Sequence, residues 1–189
     1  MGVAFRLTVF GQSSVLNSGT WYKVAVEKRG VYKITFDDFK KMGFSTSTDP
    51  RKIKIFGNVG GMLPQANSAS RPVDLVENSI YVAGEADGSF DRSDYILFFG
   101  EGPDRIQYNV DRQAFALENN LYSERNFYFI TAGNDDGKRI VDRAQVDGNF
   151  AMVEQYDDFI YHEADERNIL NSGRDWVGER FDVNSEREF

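Results

Sequence analysis

Trp21-Tyr22-Lys23-Val24-Ala25-Val26-Glu27-Lys28-Arg29-Gly30-Val31-Tyr32-Lys33-Ile34-Thr35-Phe36 is the stretch on which the fold class turns. Tyr22, Val24 and Val26 share one face of an extended chain, and after a four-residue break the alternation resumes at Tyr32, Ile34 and Phe36. A period of two marks a strand with one buried face. Gly30 can take a positive φ at the end of the break, so the pair is predicted to be a hairpin.

A short helix is predicted next. Thr35 can cap it, Asp37 and Asp38 lie in its first turn, Lys40 and Lys41 in its last, and Gly43 stops it. Phe39 and Met42, three apart, would face the sheet. Lys52-Ile53-Lys54-Ile55-Phe56 then reads as a strand running into the glycine turn Gly57-Asn58-Val59-Gly60-Gly61. Further strands are predicted at 79–82, 95–99, 126–131 and 155–161, with turn clusters at 66–72, 86–93, 133–137 and 147–149. Residues 163–170 could form two helical turns. Many short strands with turn chemistry between them predict an all-β fold, an antiparallel β-sandwich of jelly-roll-like type with one or two short helices. The expected organisation is a lead-in strand over 1–20, the sandwich over 21–170, and the start of a following β domain over 171–189. A chain stopping inside an extended segment at Glu188-Phe189 is expected to continue into more protein.

Composition supports this and narrows function. Of 189 residues, 41% are hydrophobic and 14% aromatic, with 16 Phe and 9 Tyr, a balance that favours sheets. A net charge of −8 sets the chain against phosphate backbones and anionic lipid, so neither a nucleic-acid partner nor membrane insertion is expected. There is no Cys, which removes disulfides, thiolate metal sites and a cysteine nucleophile from this sequence. Met1-Gly2-Val3 does not begin a secretory leader, so an exported parent would have lost it here.

Catalytic patterns are scarce. His162 is the one histidine, and no Gly-x-Ser-x-Gly element accompanies it. Gly57-x-x-Gly60-Gly61 lacks the Lys-Ser/Thr of a phosphate loop. The best site candidate is Glu85-Ala86-Asp87-Gly88-Ser89-Phe90-Asp91-Arg92-Ser93-Asp94. Its carboxylates Glu85, Asp87, Asp91 and Asp94, with Gly88 at the bend, outline part of a calcium loop. The position for a first acidic ligand is Ala83, so the pattern is incomplete, and the alternative is an Asx-turn leading into a strand. Trp21 and Trp176 keep a carbohydrate-binding sandwich in play, and the 30 acidic residues a hydrolase using paired carboxylates.

Several strings in order resemble a known family: Gly30-Val31-Tyr32-Lys33-Ile34, Ile55-Phe56-Gly57-Asn58-x-Gly60-Gly61-x-Leu63-Pro64, and Asp74-Leu75-x-Glu77-Asn78. The longest follows, Gly84-Glu85-x-Asp87-Gly88-x-Phe90-Asp91-x-x-Asp94-Tyr95-Ile96-Leu97-Phe98-Phe99-Gly100-x-Gly102-Pro103. Then come Tyr122-Ser123, Phe127-Tyr128-Phe129-Ile130-Thr131, Gly137-Lys138-Arg139-Ile140 and Ser172-Gly173-Arg174-x-Trp176-x-Gly178-Glu179. Together they resemble the N-terminal region of the type IX secretion system sortases, relatives of the gingipain cysteine peptidases. The resemblance implies a non-catalytic β-domain, with the Cys-His pair in a peptidase domain downstream. It implies an exported protein at the cell surface or outer membrane whose full-length form removes C-terminal sorting signals from secreted cargo and attaches the cargo to the surface. The partners implied are the downstream peptidase domain and other type IX components, with no cofactor required. Arg51, Arg71, Arg112 and Arg143 lie in predicted turns and could enter a basic-specific pocket of a peptidase if the domain acts as a prodomain.

Overall fold

The computed structural model describes residues 13–45, 47–144, 148, 152, 154–155, 166–169, 171 and 176–179. The chain groups into two compact units, 1–142 and 143–189. Among the described residues of the first, nine strands form three antiparallel sheets. In chain order they are β1 (Tyr22–Val26), β2 (Gly30–Thr35), β3 (Ile53–Phe56), β4 (Glu77–Asn78), β5 (Tyr81–Ala83), β6 (Tyr95–Gly100), β7 (Arg105–Asn109), β8 (Ala114–Glu118) and β9 (Asn126–Ala132). One sheet runs β1-β9-β3-β4, a second β2-β6-β5, and β7 and β8 form a two-stranded ribbon.

The inward residues of the two larger sheets meet in one apolar core, as a sandwich requires. Val26, Ile53, Ile55, Tyr128 and Ile130 come from the first, and Ile34, Val82, Ile96 and Phe98 from the second. Phe98 and Tyr128 meet between them with ring centres 5.2 Å apart. Helix α1 (Phe36–Met42) closes one end of this core. Thr35 and Asp38 form its reciprocal cap, and Gly43 ends it at φ +100°. Phe39 is buried under it against Phe44 and Phe90, with centroids 3.9 and 4.9 Å away, and Met42 packs at the core edge.

The predicted hairpin does not form. β1 pairs with β9, Val26 opposite Asn126, while β2 pairs with β6, Ile34 opposite Ile96. A tight hairpin loop needs a residue in the left-handed region. None of 27–30 has one; Gly30 is extended, a strand residue opposite Gly100. The chain instead steps from one sheet to the other. Tyr32 secures the step, its hydroxyl donating to the Lys28 carbonyl at 2.6 Å.

A second step separates two short strands, and the strand predicted at 79–82 is present as the second of them, β5. β4 belongs to the first sheet and β5 to the second, with Ile80 buried at the crossing. Ile80 N–H donates to the Lys138 carbonyl, and Ile140 N–H returns to Ile80, so 138–140 stitches the corner. The strands predicted at 95–99 and 126–131 are present as β6 and β9. The ribbon β7-β8 carries no counterpart among the predicted strands. It turns through Val110–Gln113, with Asn109 Oδ1 accepting from Arg112 N–H and Gln113 at φ +49°.

In the second unit, Arg167 and Val177 form an antiparallel bridge. Residues 166–169, the described part of the segment 163–170 that could have formed two helical turns, carry this bridge at Arg167 and a turn at Ile169 rather than helix, and Val177 takes up the Glu166 and Arg167 backbone groups. The strand predicted at 155–161 lies, Gln155 aside, outside the described residues, as do Phe181 and Val183. Among the described residues, no helix is long and apolar enough to cross a membrane.

Candidate functional site

The acidic segment 85–94 folds as a tight turn pinned by one aromatic ring. Gly84 and Gly88 bracket a single 3-10 turn over Glu85–Asp87, at φ +88° and +77°. Phe90 is 1% exposed and anchors the segment in the core beside Phe39. A Cβ on Gly84 would collide with the Asp94 carboxylate, so the glycine makes room for a buried acid.

Each of the four carboxylates has its own donors. Glu85 takes the Arg139 guanidinium, Nε to Oε2 at 2.7 Å. Asp87 accepts from Ser89 N–H at 2.9 Å, the Asx-turn arrangement. Asp91 accepts from the Ser89 hydroxyl at 3.3 Å. Asp94, 7% exposed, accepts from Asp91 N–H at 2.7 Å. Among the described residues, no three acidic or histidine side chains converge as a metal would require. We therefore expect millimolar calcium to leave the melting temperature unchanged. A bound ion at a hundredfold excess over Kd would raise it by about 5–10 °C. Asp94→Ala should cost about 1–3 kcal/mol with or without calcium, because it strands the Asp91 N–H. Differential scanning fluorimetry with calcium and with chelator reads both.

Arg139 is the hub beside this turn. Besides Glu85, its Nη2 donates to the carbonyls of Pro50 and Arg51 at 2.8 and 2.9 Å, and its Nη1 to those of Ile53 and Lys138, each at 3.3 Å. The turn, the entry to β3 and the 138–140 stitch are thus tied by one planar cation. No pattern around 85–94 announces this partner, which lies 54 residues along the chain. The only hint is the string Gly137-Lys138-Arg139-Ile140 itself.

The glycine string after β3 forms a second close-packed corner. Gly57 lies against the Tyr128 ring and Gly60 against the Gly102 carbonyl, so closely that a Cβ at either would overlap its neighbour. Gly61, at φ +94°, donates its N–H to the Pro103 carbonyl at 2.8 Å. Tyr128 accepts the Glu101 N–H at 2.8 Å, and burial pushes its phenol pKa up. Asn126 donates to the carbonyls of Asn58 and Glu101 at 3.2 and 3.1 Å. This corner is a turn with no phosphate-cradling helix, in line with the sequence reading of 57–61.

From the corner a cleft of about 430 Å³ opens between 58–64 and 70–75, with Arg105 on its wall. Asp74 holds one side. Its carboxylate accepts from Val15 N–H at 2.7 Å, Leu75 N–H at 2.8 Å and the Ser14 hydroxyl at 2.9 Å, and the two backbone donors hold its pKa below the usual range.

The remaining candidates are dispersed. Arg51 forks onto Asp49, Nη2 to Oδ2 at 2.8 Å, and Arg71 rests on the Ala66 carbonyl at 3.1 Å. Arg112 and Arg143 are exposed. Trp21 lies edge-on to Phe56 at 5.2 Å, its indole N–H on the Ser18 carbonyl, while Trp176 is 48% exposed. His162 lies outside the described residues.

No family model matches the chain, and no curated protein does. Among solved structures the chain is similar to the crystal structure of dimeric latent PorU from Porphyromonas gingivalis. The identity is 30% over 62% of this chain, with a TM-score of 0.47. The match spans about a tenth of that protein's length, 10%.

Proposed function

We propose that this chain is a non-catalytic N-terminal β-domain of a type IX secretion system sortase, with a scaffold, docking or prodomain-like role. The observation that carries the reading is the ordered set of strings, above all Gly84–Pro103. Its side chains have dependent jobs in the fold: Gly84 admits Asp94, Phe90 anchors the turn, Gly102 lets the Lys28–Arg29 backbone pass. Fifteen specified positions within twenty residues, several of them tied by such contacts, are hard to reproduce by chance, whereas a lone glycine motif is not. The 30% identity to a stretch of PorU points the same way.

On this reading the thiol chemistry belongs to a peptidase domain outside this sequence, because the chain holds no Cys. The full-length protein is exported to the cell surface or outer membrane. It cleaves the C-terminal sorting signals of secreted cargo and attaches the cargo there. This domain meets the peptidase domain or another type IX component. Neither metal nor cofactor is needed for that role.

The test has two arms. The gene should encode a peptidase-like domain with Cys and His downstream, and the purified domain should co-purify with that domain or another type IX component. It should hydrolyse no peptide alone. A gene without such a domain, or peptide cleavage by this chain unaided, removes the reading.

The alternative is a surface carbohydrate-binding module. It draws on exposed rings, Tyr122 at 80% and Trp176 at 48%. Binding on a glycan array that is lost in Tyr122→Ala or Trp176→Ala, with no sortase partner, would favour it.

A further inference from the structure

The cleft beside Arg105 combines three features seldom found together on this acidic surface. First, its walls are set by hydrogen bonds rather than by a ligand. Asp74 fixes 14–15 and 75, Asn58 donates to the Asp74 carbonyl at 3.2 Å, and Gly61 is bonded to Pro103. Secondly, its lining is apolar and left in water. Val59, Leu63 and Val73 are 69, 64 and 76% exposed, an arrangement typical of surfaces that meet a partner.

Thirdly, its cation is unneutralised. Arg29, Arg51, Arg125 and Arg139 each pair with a carboxylate. Among the described residues Arg105 does not. Its neighbour is neutral Gln107, whose amide oxygen, turned towards it, lies 2.7 Å from Nε. Asp74, the acid lining the cleft, is committed to its three donors. A guanidinium fork is built to take a carboxylate through two parallel bonds.

We propose that this cleft is a docking site for an extended peptide segment with apolar side chains and one acidic side chain, the acid pairing with Arg105. The apolar residues fill the space between 58–64 and 70–75, and the acid sets the register. The site does not depend on the sortase reading, since it stands on this chain's own cleft and charge.

The test uses the whole chain and three labelled pentapeptides. The first is Leu-Val-Asp-Val-Leu with acetylated and amidated ends. The second replaces its Asp by Asn. The third also lacks Asp but keeps a free C-terminal carboxylate. We expect the Asp peptide to bind best by fluorescence anisotropy, shifting the amide signals of Val59, Leu63 and Val73. Arg105→Gln should weaken it about 10–100-fold, to the level of the Asn peptide. Leu63→Asp should abolish binding, with the melting temperature of each variant showing an intact fold. Equal affinity for the Asp and Asn peptides, or indifference to Arg105→Gln, overturns the proposal. So does preference for the free C-terminus, which would make the site a terminus reader, or perturbation confined to residues elsewhere.

Discussion

Arg139→Met is expected to lower the melting temperature by about 6–12 °C, the equivalent of about 3 kcal/mol in a chain of this size. The side chains of Arg139 and Glu85 are 21 and 29% exposed, so water screens the pair only in part. Removing the cation leaves the partly buried Glu85 carboxylate without its guanidinium and takes one donor from each of the Pro50 and Arg51 carbonyls, which keep the Ile53 and Gly137 N–H groups. Stranded polar groups, rather than the loss of attraction, dominate such a cost. Arg139→Lys should recover little, because a single ammonium cannot span a carboxylate and carbonyls on two sides. Arg139→Met combined with Glu85→Leu should be more stable than Arg139→Met alone, since the second change removes the orphaned charge. Thermal denaturation of the four proteins measures this. A single variant within about 1 °C of wild type would refute the hub.

Gly57→Ala should be nearly as damaging, by a different route. The added methyl falls on the Tyr128 ring, a fully buried side chain whose hydroxyl holds the Glu101 N–H. Neither can shift without breaking that bond or the Gly57 N–H bond to the Val76 carbonyl. Overpacking of this kind costs about 3 kcal/mol. In a Tyr128→Leu background the same alanine should cost much less, because the ring it strikes is gone. Gly30→Ala is the control. It has nothing within 4 Å of its added carbon and no positive φ, so it should be neutral or stabilising by a few tenths of a kcal/mol. Equal losses at Gly57 and Gly30 would show that backbone freedom, not the ring, sets the effect.

These two sites also mark where sequence reading works and where it stops. The cap at Thr35, the stop at Gly43 and the strands β3, β6 and β9 follow from short-range rules, and each stands where those rules put it. Alternation identifies the inward face, Val26 and Ile34 among it, but says nothing of which strand supplies the backbone partner. The hairpin expectation failed for that reason, and the step from β4 to β5 is hidden from alternation for the same one. The ribbon does carry a short-range signal, with Ile106 and Tyr108 alternating opposite Phe115 and Leu117 across four residues. For the acidic turn, the spacing of carboxylates was visible while their donors were not, because Arg139 and the Asp94 niche under Gly84 exist only after folding. The Arg105 cleft had no linear signature. Its walls come from segments 58–64 and 70–75, and its charge from β7.

The pairing of β1 with β9 has a bearing on how the chain is made. Val26 waits for Asn126, so about a hundred residues must leave the ribosome before the first strand finds its mate. At ordinary elongation rates that is about 5–20 s during which an apolar edge stays uncovered. Contacts this distant in sequence make a nascent chain slow to fold and prone to stray pairing. Fragments ending before β9 would leave both β1 and β3 unpaired on that side, and such chains should need a holding chaperone.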